Sequence, residues 1–149
     1  APHLAVGSIG KIQLSRLAEI LSRTARLNYY RVLLIHHPPI SGTVSWRKRL
    51  TDAPALQSLL ADLEVELILH GHVHCTQQGY LGGPSGNVPV MGATSITSLD
   101  RPQERRARYC IYHISPSTGD WNVRIEARIY SPAGNRFVAD CEQPLKKQR

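Results

Sequence analysis

Two stretches of the sequence decide the fold: "RVLLIHHPP", residues 31–39, and "VELILHGHVHC", residues 65–75. Each is a short run of Val, Leu and Ile that ends in histidines. Such continuous apolar runs are typical of strands that are buried on both faces of a sheet. Between them, leucines repeat at helical spacing from Leu56 to Leu63, and Asp52 precedes them as a helix N-cap. The pattern predicts a strand, a crossover helix and a second strand.

This connection brings the two groups of histidines together. A strand–helix–strand unit makes its strands parallel, so their carboxyl ends lie at the same edge of the sheet. Open α/β sheets place their functional sites at that edge. His36 and His37 follow the first strand and three more histidines follow the second, so we expect the two groups to lie side by side. The second group is His70, His72 and His74.

Neutral imidazole is a good ligand for Zn, Fe and Mn, so this edge is a candidate metal site. We predict that His36, His72 and His74 are metal ligands. In an extended backbone, His72 and His74 would point to the same side, and Gly71 would let the chain turn before them. His37 and His70 are predicted to contact substrate or to support the ligands. Two isolated histidines are interpreted as surface or strand residues: His3 and His113.

The rest of the chain predicts a layered α/β architecture with a mixed sheet. Residues 11–27 have the apolar spacing of an amphipathic helix, and Asn28 is a plausible left-handed stop. The glycine-rich residues 79–95 are predicted to form a strand, a turn and a strand. Farther on, "RYCIYHIS" and "WNVRIEARIY" alternate in polarity around the turn sequence "PSTGD", which predicts a β-hairpin.

The length, charge and cysteine content of the chain indicate its size class, its partners and its location. The 149 residues suffice for one domain, and the formal charge of +7 favours anionic partners. The excess cations fall in residues 45–50, 101–108 and 144–149, which we interpret as solvated loops. Three cysteines without a CxxC pair predict free thiols and a cytoplasmic location. We expect no signal peptide and no membrane span.

With these features established, a family resemblance is visible. "LLIHHPP" followed by "LILHGHVH" resembles the C-terminal half of the calcineurin-like metallophosphoesterases. "GSIGKIQLSRLAEIL" and "WRKRLTDAPALQSLL" are similar to the cyclic-nucleotide phosphodiesterase branch of that family. The resemblance covers residues 7–130, and it implies a layered α/β/β/α sandwich with a mixed sheet.

The resemblance also implies roles for the histidines. His36 and His72 would bind one metal ion and His74 would bind a second. In this family two divalent ions, Mn, Fe or Zn, activate water for in-line attack on phosphorus. The implied reaction is hydrolysis of a phosphomonoester or a phosphodiester. The partner is then a phosphate-ester substrate, and nucleic acid is expected only as a substrate.

The family's early motifs, Asp-x-His, Gly-Asp and Gly-Asn-His, have no counterpart in the required context. Gly119-Asp120 and Gly134-Asn135 occur too late in the chain and are interpreted as turns. Residues 1–149 are therefore interpreted as the C-terminal half of a single catalytic domain, with no catalytic residue assigned. We expect this chain alone to be inactive or incomplete and to hold fewer than two metal ions. It would pair with an N-terminal half or with itself.

Two alternatives from other classes remain. One is a non-catalytic metal-binding module, in which the four side chains of His70, His72, His74 and Cys75 close on one zinc ion. The other is a basic domain that binds nucleic acid with a salt-dependent affinity. The second alternative leaves the histidines unexplained.

Overall fold

A computed structural model describes residues 5–99 and 101–145. His3 and the basic residues after Leu145 lie outside this part. Short 3₁₀ turns occur at Trp46–Lys48, Gln103–Arg105 and Pro132–Gly134. The helices and strands are α1 (Gly10–Thr24), β1 (Val32–Ile35), α2 (Ala53–Asp62), β2 (Leu67–His70), β3 (Gln77–Gly83), β4 (Gly86–Gly92), β5 (Arg108–Ser117), β6 (Asp120–Ser131) and β7 (Arg136–Pro144).

A mixed four-stranded sheet has the order β1-β2-β4-β3. β1 and β2 are parallel neighbours, and the register places Ile35 opposite His70. β4 continues the parallel arrangement next to β2, whereas β3 forms an antiparallel hairpin with β4. The prediction of a mixed sheet with two parallel strands is therefore confirmed, and the structure shows that these strands are immediate neighbours.

The remaining strands form a separate antiparallel sheet in the order β5-β6-β7. Ser117 pairs with Asp120 across a tight turn, so the hairpin predicted around "PSTGD" is confirmed. Gly119 has a φ of 75° and Asn135 a φ of 45°, which shows that both late Gly-Asp and Gly-Asn sequences form turns. A β-bulge interrupts the pairing of β6 with β7 beside Ala127. This sheet is built from one continuous segment of the chain.

The elements form three layers. Both α-helices pack on one face of the mixed sheet, where Leu56 and Leu60 contact Ile68 and Val90. The antiparallel sheet covers the other face, where a second core joins β2 and β4 to β6. Its buried members are Leu67, Met91, Val123, Ile125 and Leu145. Among the described residues no α-helix lies on the outer face of the antiparallel sheet, so a fourth layer is not formed there.

β1 departs from the prediction that it is buried on both faces. Leu33 and Ile35 pack toward the helices, but Val32 is 39% exposed and Leu34 is 73% exposed. The reason is topological: within the described residues β1 lies at the edge of the sheet and pairs with β2 alone. β2, which has a neighbour on each side, is buried on both faces as predicted.

Asp52 also differs from its predicted role. It precedes α2, but its side chain makes no capping hydrogen bond to that helix. Instead its carboxylate accepts hydrogen bonds from the Gly10 N–H at 2.7 Å and the Ile9 N–H at 3.0 Å. The Ser8 hydroxyl donates a third bond at 2.9 Å. Asp52 therefore caps α1, which comes more than forty residues earlier in the chain.

The first helix ends at Thr24, earlier than the predicted residue 27. Helical turns continue to Asn28, whose φ of 48° confirms the predicted left-handed stop. None of the described helices is long and apolar enough to cross a membrane.

Candidate functional site

The carboxyl ends of β1 and β2 place His36 and His72 next to each other. The Gly71 N–H donates to the His36 carbonyl at 3.1 Å, which extends the contact of the two strands beyond the sheet. The His72 Nδ1 and the His36 Nε2 are then 3.2 Å apart, although the residues are separated by 36 positions in sequence. The structure therefore brings these two predicted site residues together at the predicted edge.

His37 joins them. Its ring centroid lies 4.2 Å from that of His72 and 5.1 Å from that of His36. Its Nε2 forms a 3.0 Å hydrogen bond with the Ala5 carbonyl, which fixes the ring. We call His36, His37 and His72 the histidine cluster. Sequence reasoning predicted that His37 contacts substrate or supports the ligands, because the topology does not show how its ring is oriented.

Gly7 holds the other side of the His37 ring. A Cβ atom at Gly7 would lie 2.4 Å from the His37 Nδ1, so a larger residue there would displace the ring. This close approach of backbone to imidazole requires glycine. No sequence pattern marked Gly7 as part of the site, because the contact joins residues thirty positions apart.

The backbone after β2 does not follow the predicted extended path. His72 has a φ of 67° and His74 a φ of 51°, whereas Gly71 has no positive φ. The chain therefore turns at the histidines and not at the glycine. His74 is exposed, and its ring forms no hydrogen bond within the described residues. Left-handed non-glycine residues cost about 1–3 kcal/mol each and cluster at functional sites.

The environment of His72 favours the neutral form of its ring. Burial lowers its pKa, and the nearby charges of His37, His36 and Lys48 lower it further. The Nε2 of His72 is buried and has no hydrogen-bond partner among the described residues. The neutral imidazole is the form that binds metal ions, and in His72 the nitrogen that faces His36 is the Nδ1 and not this Nε2.

The cluster fits two ligands of a metal site. Nitrogen ligands at 2.0–2.1 Å from one ion lie about 3.0–3.4 Å from each other. The 3.2 Å separation of the His36 Nε2 and the His72 Nδ1 matches that spacing, and in the structure these two nitrogens share a hydrogen bond. However, the described residues contain no group of three or more His, Cys, Asp or Glu side chains placed to hold a metal ion. The fit is therefore that of a partial site.

His70 is a core residue. It is 6% exposed, its Nδ1 lies 3.2 Å from the Gly71 carbonyl, and its ring packs on Gly92. Burial lowers its pKa, which favours the neutral form of its ring as well. This position does not bring it into the histidine cluster, and the four-ligand zinc site with His72, His74 and Cys75 is not assembled in the described part of the chain.

The N-terminal segment of residues 5–10 joins the cluster to the loop before α2. The Ala5 N–H donates to the Arg47 carbonyl at 2.9 Å, and the Gly7 N–H donates to the Arg49 carbonyl at 3.1 Å. The Thr51 N–H in turn donates a hydrogen bond to the Gly7 carbonyl at 2.8 Å. The basic residues 47–49, interpreted from sequence as solvated surface, are thus held beside the candidate site.

Residues outside the cluster agree with their predicted roles. His113 lies on β5, with its Nε2 3.3 Å from Glu126 in the antiparallel sheet. The three cysteines are free thiols, as predicted: Cys75, Cys110 and Cys141.

In comparisons with known proteins, no protein-family model matches this sequence, and no curated protein matches it.

Proposed function

We propose that this chain supplies the late histidine ligands of a metal-dependent phosphoesterase that hydrolyses phosphomonoesters or phosphodiesters. The observation that carries the proposal is the 3.2 Å approach of the His36 and His72 ring nitrogens. It occurs at the carboxyl edge of two parallel strands, where α/β sheets place their sites. The "HHPP" and "HGHVH" sequences at this edge support the same family.

The proposed ligand roles follow the sequence motifs. His36 and His72 would hold one divalent ion, Mn, Fe or Zn, and the exposed His74 would contribute to a second. When bound, such ions lower the pKa of water and stabilise charge on phosphoryl oxygens. His37, whose ring is hydrogen-bonded to Ala5 and packs on Gly7, would contact the substrate or support the ligands. The buried His70 supports the turn that carries His72.

We further propose that the domain is completed by an N-terminal half that provides carboxylate and further ligands. Two features support this. The described residues do not close a metal site by themselves. β1, the strand that leads into His36, has an unpaired edge within the described residues, and it also has an exposed apolar face. The completed domain would have the α/β/β/α layers and act on a phosphate ester in the cytoplasm.

The test is calorimetric titration of the chain with Mn²⁺ and Zn²⁺. His72→Ala should weaken metal binding by about tenfold or more, because it removes one of the two paired ring nitrogens. His113→Ala, a matched change in the antiparallel sheet, should leave the affinity unchanged. Equal losses in both variants would mean that the histidines bind metal only incidentally.

A further inference from the structure

A cavity of about 460 Å³ lies beside the histidine cluster, in the loop between β1 and α2. Its volume is in the range of small-molecule sites, roughly 300–1,000 Å³. Ile40, Val44 and Leu50 provide an apolar wall, and Arg49 and Thr51 provide polar groups. Ligand sites combine apolar side chains with a few placed polar groups, and this lining contains both kinds.

Trp46 is the largest side chain that lines the cavity, and it remains 58% exposed. The Arg47 guanidinium lies 5.3 Å from the centre of its ring. The guanidinium lies over one face of the indole, and the exposed remainder of the ring is suited to stacking with a planar aromatic group.

The charges around the cavity favour an anion. Arg47, Lys48 and Arg49 are consecutive, and none of them forms an ion pair within residues 5–99 and 101–145. Asp52, the acidic residue nearest in sequence, already accepts three hydrogen bonds from the start of α1. The cations are therefore not neutralised, and they raise the local concentration of anionic ligands.

The same segments of the chain form the cavity and position the histidine cluster. Pro38, which follows His37, lines the cavity, and so does Thr51. The Thr51 N–H donates a hydrogen bond to the Gly7 carbonyl, and the His37 ring packs against Gly7. The cavity and the histidine cluster are therefore built on the same loop and the same N-terminal segment.

We propose that this cavity binds a planar aromatic group of a phosphate ester, stacked on Trp46, while Arg49 and Lys48 interact with the anionic part. The assignment rests on the proposed function, because it identifies the cavity as the subsite for the group attached to the phosphate. It selects esters of aromatic alcohols over esters of aliphatic ones.

The experiment compares phenyl phosphate with ethyl phosphate, which carry the same charge, in metal-free solution. The chain has two tryptophans, so Trp121→Phe leaves Trp46 as the only indole reporter. Phenyl phosphate should change Trp46 fluorescence and bind about fivefold tighter than ethyl phosphate. Calorimetry on the unmodified full chain should give the same preference, independently of how the Trp121→Phe variant folds.

Three variants test the subsite, and a fourth variant is the control. Trp46→Ala should abolish the preference for phenyl phosphate, and Trp46→Phe should retain it. Arg49→Ala should weaken both probes about threefold. Arg23→Ala removes a cation from the last turn of α1, at the end from which the chain enters β1, and should leave both affinities unchanged.

Equal affinities for the two probes, or a preference that survives Trp46→Ala, would overturn the assignment. Absence of phosphate-ester binding would overturn it as well. None of these results bears on the metal titration, so failure of this inference is distinguishable from failure of the proposed function.

Discussion

Asp52 shows how one carboxylate joins distant segments. Partial burial raises its pKa, but the N–H groups of Gly10 and Ile9 and the Ser8 hydroxyl lower it, and the net pKa is below the usual value. The charged form is therefore favoured in the folded chain. Stability from this group is present above the unfolded pKa of about 4 and is lost as pH falls through the lowered folded pKa.

We expect Asp52→Ala to reduce the free energy of unfolding at pH 7 by about 1–2 kcal/mol, since it removes the cap of α1. The difference from the unmodified chain should shrink as the pH is lowered below about 4. Urea unfolding at pH 7 and at pH 3 measures both effects. Asp62→Ala, at the exposed end of α2, is the control and should change stability little. An equal loss in the two variants would contradict the capping role.

The sequence predicted the position of a residue correctly where the order of the strands alone determines that position. His36 and His72 could be expected to meet because parallel strands share an edge. The left-handed conformation of His72 and the capping by Asp52 could not, because both depend on contacts across the fold. Local sequence placed Asp52 correctly before α2 but could not show which helix its carboxylate would reach.

At the scale of elements, β1 is the feature that sequence described least well. Its four residues have the apolar character of a central strand, and the structure places it at an edge. The apolar sequence and the edge position agree if β1 pairs with a second strand that lies outside the described residues. An exposed apolar edge strand is a template for pairing with another chain.

We therefore expect Leu34→Lys to reduce self-association of the chain with a change in stability within about 0.5 kcal/mol. Leu34 is 73% exposed, and a charge at an edge strand opposes further pairing. Ile12 in α1 is 71% exposed, so Ile12→Lys removes a similar apolar surface away from the sheet. Sedimentation velocity compares the two. Equal reductions would indicate general hydrophobic contact and not pairing of β1.

For the whole molecule, we expect the 149-residue chain alone to show very low phosphodiesterase activity. Two divalent ions held a few ångströms apart repel each other by several kcal/mol, roughly, even at a high effective dielectric constant. A bridging carboxylate would offset this, and the described residues place none beside the histidine cluster. Activity on a chromogenic phosphodiester with Mn²⁺ should appear only when an N-terminal half with the early motifs is supplied. Robust turnover by the pure chain, abolished by His74→Ala, would contradict this.

The continuous antiparallel sheet has a consequence for how the chain folds. β5, β6 and β7 pair across short connections between residues 108 and 144, so little loop entropy is lost when they come together. The mixed sheet must join residues 32–35 to residues 67–70 across a much longer loop. We expect the antiparallel sheet to form early, offering Val123 and Ile125 as a surface on which β2 and β4 assemble. The edge that carries the histidines would then be completed last and open first, and its amides would exchange with solvent before those of β6.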